Sequence, residues 1–126
     1  MGSVAKMITQ FVDHTEYVRL SLSDAYNYQD AMRCFVELSL RAHQLDHRRI
    51  LLDIRRLGGM VSIIEKHLFG IALSKIKPGL RISILCTPKQ AESDDHLETV
   101  LINRGATVKG FTDEAGAVEW IRESRS

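Results

Sequence analysis

A continuous apolar run, Ile50-Leu51-Leu52, followed by Asp53-Ile54, lies near the middle of the chain. A strand that is apolar at every position has to be covered on both faces, as in the interior of a sheet flanked by helices. A second segment reads differently. Val18, Leu20 and Leu22 alternate with Arg19, Ser21 and Ser23, the period of two expected of a strand with one buried face. Residues 7–12 also read as a strand, and the short polar turn Asp13-His14-Thr15 joins the two into a hairpin. The chain therefore calls for one sheet with a covered interior and a hairpin beside it.

Helical periodicity fills the intervals. Ala31, Cys34, Phe35, Leu38, Ala42 and Leu45 recur at three- and four-residue steps and predict a helix over about 28–44. Asn27 can cap it, with Asp30 in its first turn. Leu57-Gly58-Gly59-Met60 reads as a loop. Ser62-Ile63-Ile64-Glu65 has capping-box spacing and opens a second helix with Ile64, Leu68, Ile71, Ala72 and Ile76 on its inner face. Pro78-Gly79 stops that helix. Residues 80–86 form a strand. Ser93 caps a third helix, with Asp94 and Asp95 in its first turn and Leu97, Val100 and Leu101 facing inward. Gly105 ends it. Residues 107–111 form a last strand, and Thr112 or Asp113 caps a final helix carrying Val118, Trp120 and Ile121. The order is ββαβαβαβα, which implies an α/β fold with a mixed, mostly parallel sheet.

At 126 residues the chain is expected to form a single domain, 1–126. The formal net charge of +1 argues against a dedicated nucleic-acid binder. No apolar run reaches the length of a membrane span. The start, Met1 to Lys6, has no hydrophobic signal core, and Lys6 stands where a myristoylation motif wants Ser or Thr. The two cysteines, Cys34 and Cys86, fall in apolar segments and make no disulfide framework, so a reducing cytoplasm is expected.

Three segments carry a family resemblance. The hairpin ends in Tyr17-Val18-Arg19-Leu20-Ser21. Arg49-Ile50-Leu51-Leu52-Asp53-Ile54-Arg55 is like a "vvlDlr" strand. Asn103-Arg104-Gly105-Ala106-Thr107-Val108, then Phe111-Thr112-Asp113 and Ala117-Val118-Glu119-Trp120-Ile121, are like a "vrvFtd..eAlaWL" ending. Together they resemble the STAS domain of bacterial anti-sigma-factor antagonists, and still more the SpoIIAA-like and STAS/SEC14-type stand-alone proteins, over nearly the whole chain. The resemblance implies a non-enzymatic regulatory domain that binds a protein partner. In the antagonists a serine after this strand is phosphorylated, and the matching step from Asp53 lands on Ser62. Val61 replaces the acidic residue before that serine, and Ile63-Ile64 replace Ser-Gly after it. A SEC14-type relationship implies a small-ligand or lipid binder instead, which needs a cavity between sheet and helices.

Physical chemistry supplies roles for the same residues. A phosphate on Ser62 would meet the positive end of a helix, and Arg55 and Arg56 upstream could steady it. Helix capping by itself also accounts for a serine there. Met60, Val61 and Ile63 are unusually apolar for a loop, so residues 56–63 form the expected partner surface, and a homodimer is a further expectation. Asp53, with Thr87 and Lys89 after the next strand, also suits a response-regulator receiver with Asp53 as phosphoacceptor. The acidic pair such a site needs is missing, because His14 follows Asp13. His43 and His47 have ligand spacing but no third ligand, so no metal and no cofactor is expected. Arg48, Arg49, Arg55 and Arg56 bracket the central strand and read as solvated charge. No acid, base and nucleophile converge in the sequence, and no enzymatic activity is expected.

Overall fold

A computed structural model of the protein describes residues 7–92 and 96–123. The expected capping by Ser93, with Asp94 and Asp95, and the features assigned to Met1–Lys6 lie outside the described residues. Five strands, β1 (Met7–Asp13), β2 (Val18–Ala25), β3 (Arg49–Gly58), β4 (Arg81–Leu85) and β5 (Thr107–Phe111), form one sheet in the order β1-β2-β3-β4-β5. β1 pairs antiparallel with β2, and every other pairing is parallel. The helices are α1 (Tyr28–Gln44), α2 (Ile63–Ser74), α3 (Pro88–Ala91), α4 (His96–Asn103) and α5 (Glu114–Arg122).

Strand order decides the layers. From β2 to β5 each crossover moves one strand in the same direction. Right-handed crossovers then put every connecting helix on one face of the sheet. α1, α2 and α4 pack there over the main core, which includes Val18, Leu20, Leu38, Ile50, Leu52, Phe69, Leu73, Ile82 and Leu101. Only α5, which follows the last strand, is free to cover the opposite face. It does so with Ala117 and Ile121 against Tyr17, Leu51 and Leu85. Leu51 is thus buried under α5 while Ile50 and Leu52 are buried under the other helices, as the unbroken apolar run requires.

The structure differs from the expected elements in four places. β3 runs to Gly58, so residues 56–58 belong to a strand and only the stretch after them is loop. The inner face of α2 is Phe69, Gly70 and Leu73, continued by Ile76. Ile64 and Leu68 point to solvent, and Ile71 and Ala72 are half-buried. The α2 sequence is apolar nearly all round, so periodicity alone does not select a face. Leu45 caps α1 and is exposed. The short helix α3 was not expected. Thr87 and Gln90 form a full capping box around Pro88 at its start, and the Gln90 amide donates to the Ile54 carbonyl at 2.8 Å.

Candidate functional site

The carboxyl ends of the parallel strands and the amino ends of the helices lie at one edge of the sheet, where α/β folds place their ligands. At this edge Gly59 turns the chain out of β3 with a φ of +87°, a conformation natural to glycine. Met60 to Ser62 then lead into α2. Ser62 is the N-cap, its Oγ accepting from the Glu65 N–H at 3.1 Å. The reciprocal half of the expected capping box is replaced. The Glu65 carboxylate accepts from the Tyr26 hydroxyl at 2.8 Å, tying α2 to the β2–α1 connection. Burial first, and then the Glu65 bond and charge, push the Tyr26 hydroxyl well above its ordinary pKa, so it remains a donor.

Met60, Ile63 and Ile64 are 85%, 60% and 74% exposed around this cap. Leu68 continues the apolar surface along α2, one turn beyond Ile64. Val61 is half-buried and packs on the main core, anchoring the segment. Met60, Ser62, Ile63 and Ile64 therefore form a compact surface with Ser62 at its centre. Ile64 and Leu68, expected from sequence on the inner face of α2, belong to this surface instead. The signal was present in the lack of helical periodicity in α2.

The two arginines expected beside Ser62 lie elsewhere. The β2–β3 register shifts between Ser21 and Ser23, which pair with Asp53 and Arg56 respectively, so β3 contributes one extra residue there. The irregularity turns the Arg55 N–H onto the Asp53 Oδ1 at 3.1 Å. It also sets Arg56 opposite Ser23, on the α5 side of the sheet. Arg55 and Arg56 are thus separated from Ser62 by the sheet. Arg55 is held in a charge cluster. Its Nε and Nη2 donate to the two Asp53 oxygens at 3.1 and 2.9 Å, and Nη2 also reaches Glu114 Oε1 at 2.9 Å. Arg19 completes the ring, with Nη2 2.7 Å from Asp53 Oδ2 and Nη1 3.0 Å from Glu114 Oε2.

Burial pushes the Asp53 carboxyl up, but the bonds from the Arg55 side chain and backbone and the charges of Arg55 and Arg19 outweigh it. The net shift is downward. The Arg19 bond and charge and then the Arg55 bond lower Glu114 too. Asp53 is therefore a charged structural anchor for the amino end of α5. The other end of that helix is held in the same manner. Arg49 donates to the Ile121 carbonyl at 3.0 Å. Arg81 donates to the Trp120 carbonyl at 2.9 Å, with its guanidinium 3.8 Å from the Trp120 ring centre. Acidic groups at the first turn and cations at the last both suit the helix dipole. Arg49 and Arg55, read from sequence as solvated charge, are instead the clasps of α5. Arg48 donates to the Pro78 carbonyl at 2.8 Å.

This arrangement overturns the receiver reading. A receiver is doubly wound with a parallel sheet, whereas here an antiparallel hairpin forms one edge and the strand order is sequential. The Asp53 carboxylate is occupied by two arginines, and Thr87 caps α3 while Lys89 lies within it. His43 and His47 approach different carbonyls, those of Ser39 and His14, at 3.2 and 3.0 Å. Among the described residues no group of three or more His, Cys, Asp or Glu side chains is placed to hold a metal. No helix among them is long and apolar enough to cross a membrane.

No protein-family model and no curated protein matches the sequence. Among solved structures, the chain is similar to an uncharacterized protein of the DUF3478 family with a SpoIIAA-like fold from Shewanella loihica. The TM-score is 0.61 at 14% identity, and the match covers 96% of this chain and 98% of that one.

Proposed function

We propose that the protein, whose mixed five-stranded sheet with its opening hairpin is a SpoIIAA-like fold, is a non-enzymatic regulatory module that binds a protein partner through Met60, Val61, Ser62 and Ile63 together with the Ile64–Leu68 face of α2.

The observation carrying this reading is the exposure of Met60, Ile63 and Ile64 within five residues. Large apolar side chains clustered in this way mark interaction surfaces. Burying each stabilises a complex by roughly 1.5–3 kcal/mol. Ser62 supplies a means of control. A phosphate on it would carry nearly two negative charges into the centre of an apolar contact. No arginine of the Asp53 cluster would neutralise it, so modification disfavours docking. The reducing cytoplasm expected from two unpaired, buried cysteines suits such a role.

The test is affinity capture with the full chain, using wild type, Ile64→Asp and Ser62→Asp. A partner held by wild type is expected to be lost with Ile64→Asp and weakened at least about tenfold with Ser62→Asp. A partner retained by both variants refutes this surface. A small ligand that leaves wild-type protein on denaturation, seen by native mass spectrometry, would replace the reading with a ligand-binding one.

A further inference from the structure

Among the described residues β1 is an outer strand of the sheet and pairs only with β2. Alternate residues of an outer strand turn their N–H and C=O groups away from the sheet, and proteins usually guard such an edge with lysine, proline or a bulge. Met7–Asp13 carries none of these, and its only charge is at its end, where Asp13 pairs with Arg41. Ile8 and Val12 on its α5-side face are 52% and 39% exposed. On the other face an open groove of about 710 Å³ runs between β1 and α1, with Asp30, Arg33, Glu37 and Arg41 along its helical wall.

The geometry points to a homodimer in which β1 pairs antiparallel with β1 of a second copy about a two-fold axis at Gln10, joining two sheets into one of ten strands. Three features agree on that axis. Pairing about Gln10 sets Ile8 against Val12 of the partner subunit, and Val12 against Ile8 of the partner subunit, covering both exposed apolar side chains. Such cross-strand pairs are the unit of sheet stability. Second, β1 and α1 run in the same direction, since both are antiparallel to β2; the groove is lined by Met7, Thr9 and Phe11 on one side and by α1 residues from Asp30 to Arg41 on the other, which sets the middle of β1 near the middle of α1. Within one chain the charges in the groove pair along α1, Arg33 with Asp30 at 3.4 Å and Arg41 with Glu37 at 2.9 Å, and they are also self-complementary about that middle. An antiparallel α1 pair sets Arg33 against Glu37 of the partner subunit and Asp30 against Arg41 of the partner subunit. Third, α1 packs over both β1 and β2. Edge pairing then separates the two α1 axes by about two strand spacings, roughly 10 Å, a normal helix-packing distance.

The test is sedimentation equilibrium of the full chain at its highest soluble concentration, with circular dichroism checking folding. Wild type is expected at twice its 14.3 kDa mass. Gln10→Lys, which sets two cations on the axis at an exposed position, is expected to raise the dimer dissociation constant at least about tenfold. Arg33→Glu and Glu37→Arg are each expected to weaken the dimer alone and to recover it when mixed, because the mixed pair, unlike either variant by itself, has opposite charges at both contacts. A wild-type monomer, a dimer indifferent to Gln10→Lys, or charge variants that do not recover on mixing overturn the proposal. A dimer lost with Ile64→Asp but kept with Gln10→Lys would assign association to the α2 surface instead.

Discussion

Asp53 shows how far a single side chain's role depends on its neighbours. In sequence it is one carboxylate in an apolar strand, readable as a phosphoacceptor or as an anchor for a loop. In the fold it accepts from the Arg55 N–H, the Arg55 guanidinium and Arg19, and it is buried. Asp53→Asn keeps the shape but removes the charge, leaving two arginines to share Glu114. Breaking a buried ion pair costs several kcal/mol. The arginines here retain some solvent contact, so a loss of about 3 kcal/mol is expected, the low end of that range. Urea denaturation of the two proteins measures it. A change within experimental scatter of zero would mean that the cluster contributes no net stability.

At the scale of elements, the packing of α2 on α4 turns on Gly70. A β-carbon built there would lie 2.5 Å from Val100 Cγ1 and 2.8 Å from Val100 Cβ. Glycine inside a helix ordinarily costs about 1 kcal/mol relative to alanine, so a helix tolerates it only where close approach repays the cost. Overpacking against an anchored β-carbon costs about 1–3 kcal/mol and wins here. Gly70→Ala is therefore expected to destabilise the protein by up to roughly 2 kcal/mol net. Val100→Ala in the same background is expected to recover part of that loss, because it removes the nearer of the two clashing atoms. Thermal or urea unfolding of the single and double variants checks both statements. The same contact explains why α2 buries Phe69, Gly70 and Leu73, with Gly70 against α4, and leaves Ile64 and Leu68 outside. The largest ring and the smallest residue select the face, and both are invisible to a count of apolar positions.

For the whole molecule, the two faces of the sheet are secured by different physics. Three helices cover one face through a broad apolar core, while a single nine-residue helix covers part of the other and is pinned at its ends by charge. The α5 face therefore contributes a pH dependence through Asp53 and Glu114. The folded pKa values of Asp53 and Glu114 lie below their unfolded values of about 3.9 and 4.3. Stability from a depressed carboxylate is fully present above the unfolded value and is lost as pH falls through the folded one. Wild type is expected to lose more stability than Asp53→Asn between about pH 6 and pH 3. Hydrogen exchange is expected to show α5 amides losing protection before those of β3. Equal losses in the two proteins would show that other carboxylates govern acid unfolding.

Apart from the short helix α3, the sequence by itself determined the order of strands and helices, the hairpin, the two-sided burial of β3, the N-caps at Asn27 and Ser62, and hence an α/β fold, which the resemblance of three segments narrowed to a SpoIIAA-like one. Each is a local matter of period, turn chemistry or capping, readable within a dozen residues. It also located the apolar segment from Met60 to Ile63, since a loop with three such residues is anomalous wherever it sits. Only the tertiary structure decided which face of α2 is buried, and that Arg55 and Arg56 lie across the sheet from Ser62. It also decided that Arg19, Arg49, Arg55 and Arg81 hold α5. Those outcomes depend on a one-residue irregularity in β3, on close approach at Gly70, and on ion pairs between residues far apart in the chain, such as Arg19 and Glu114. No local pattern encodes a partner that distant, because the pairing exists only once the strands are in register.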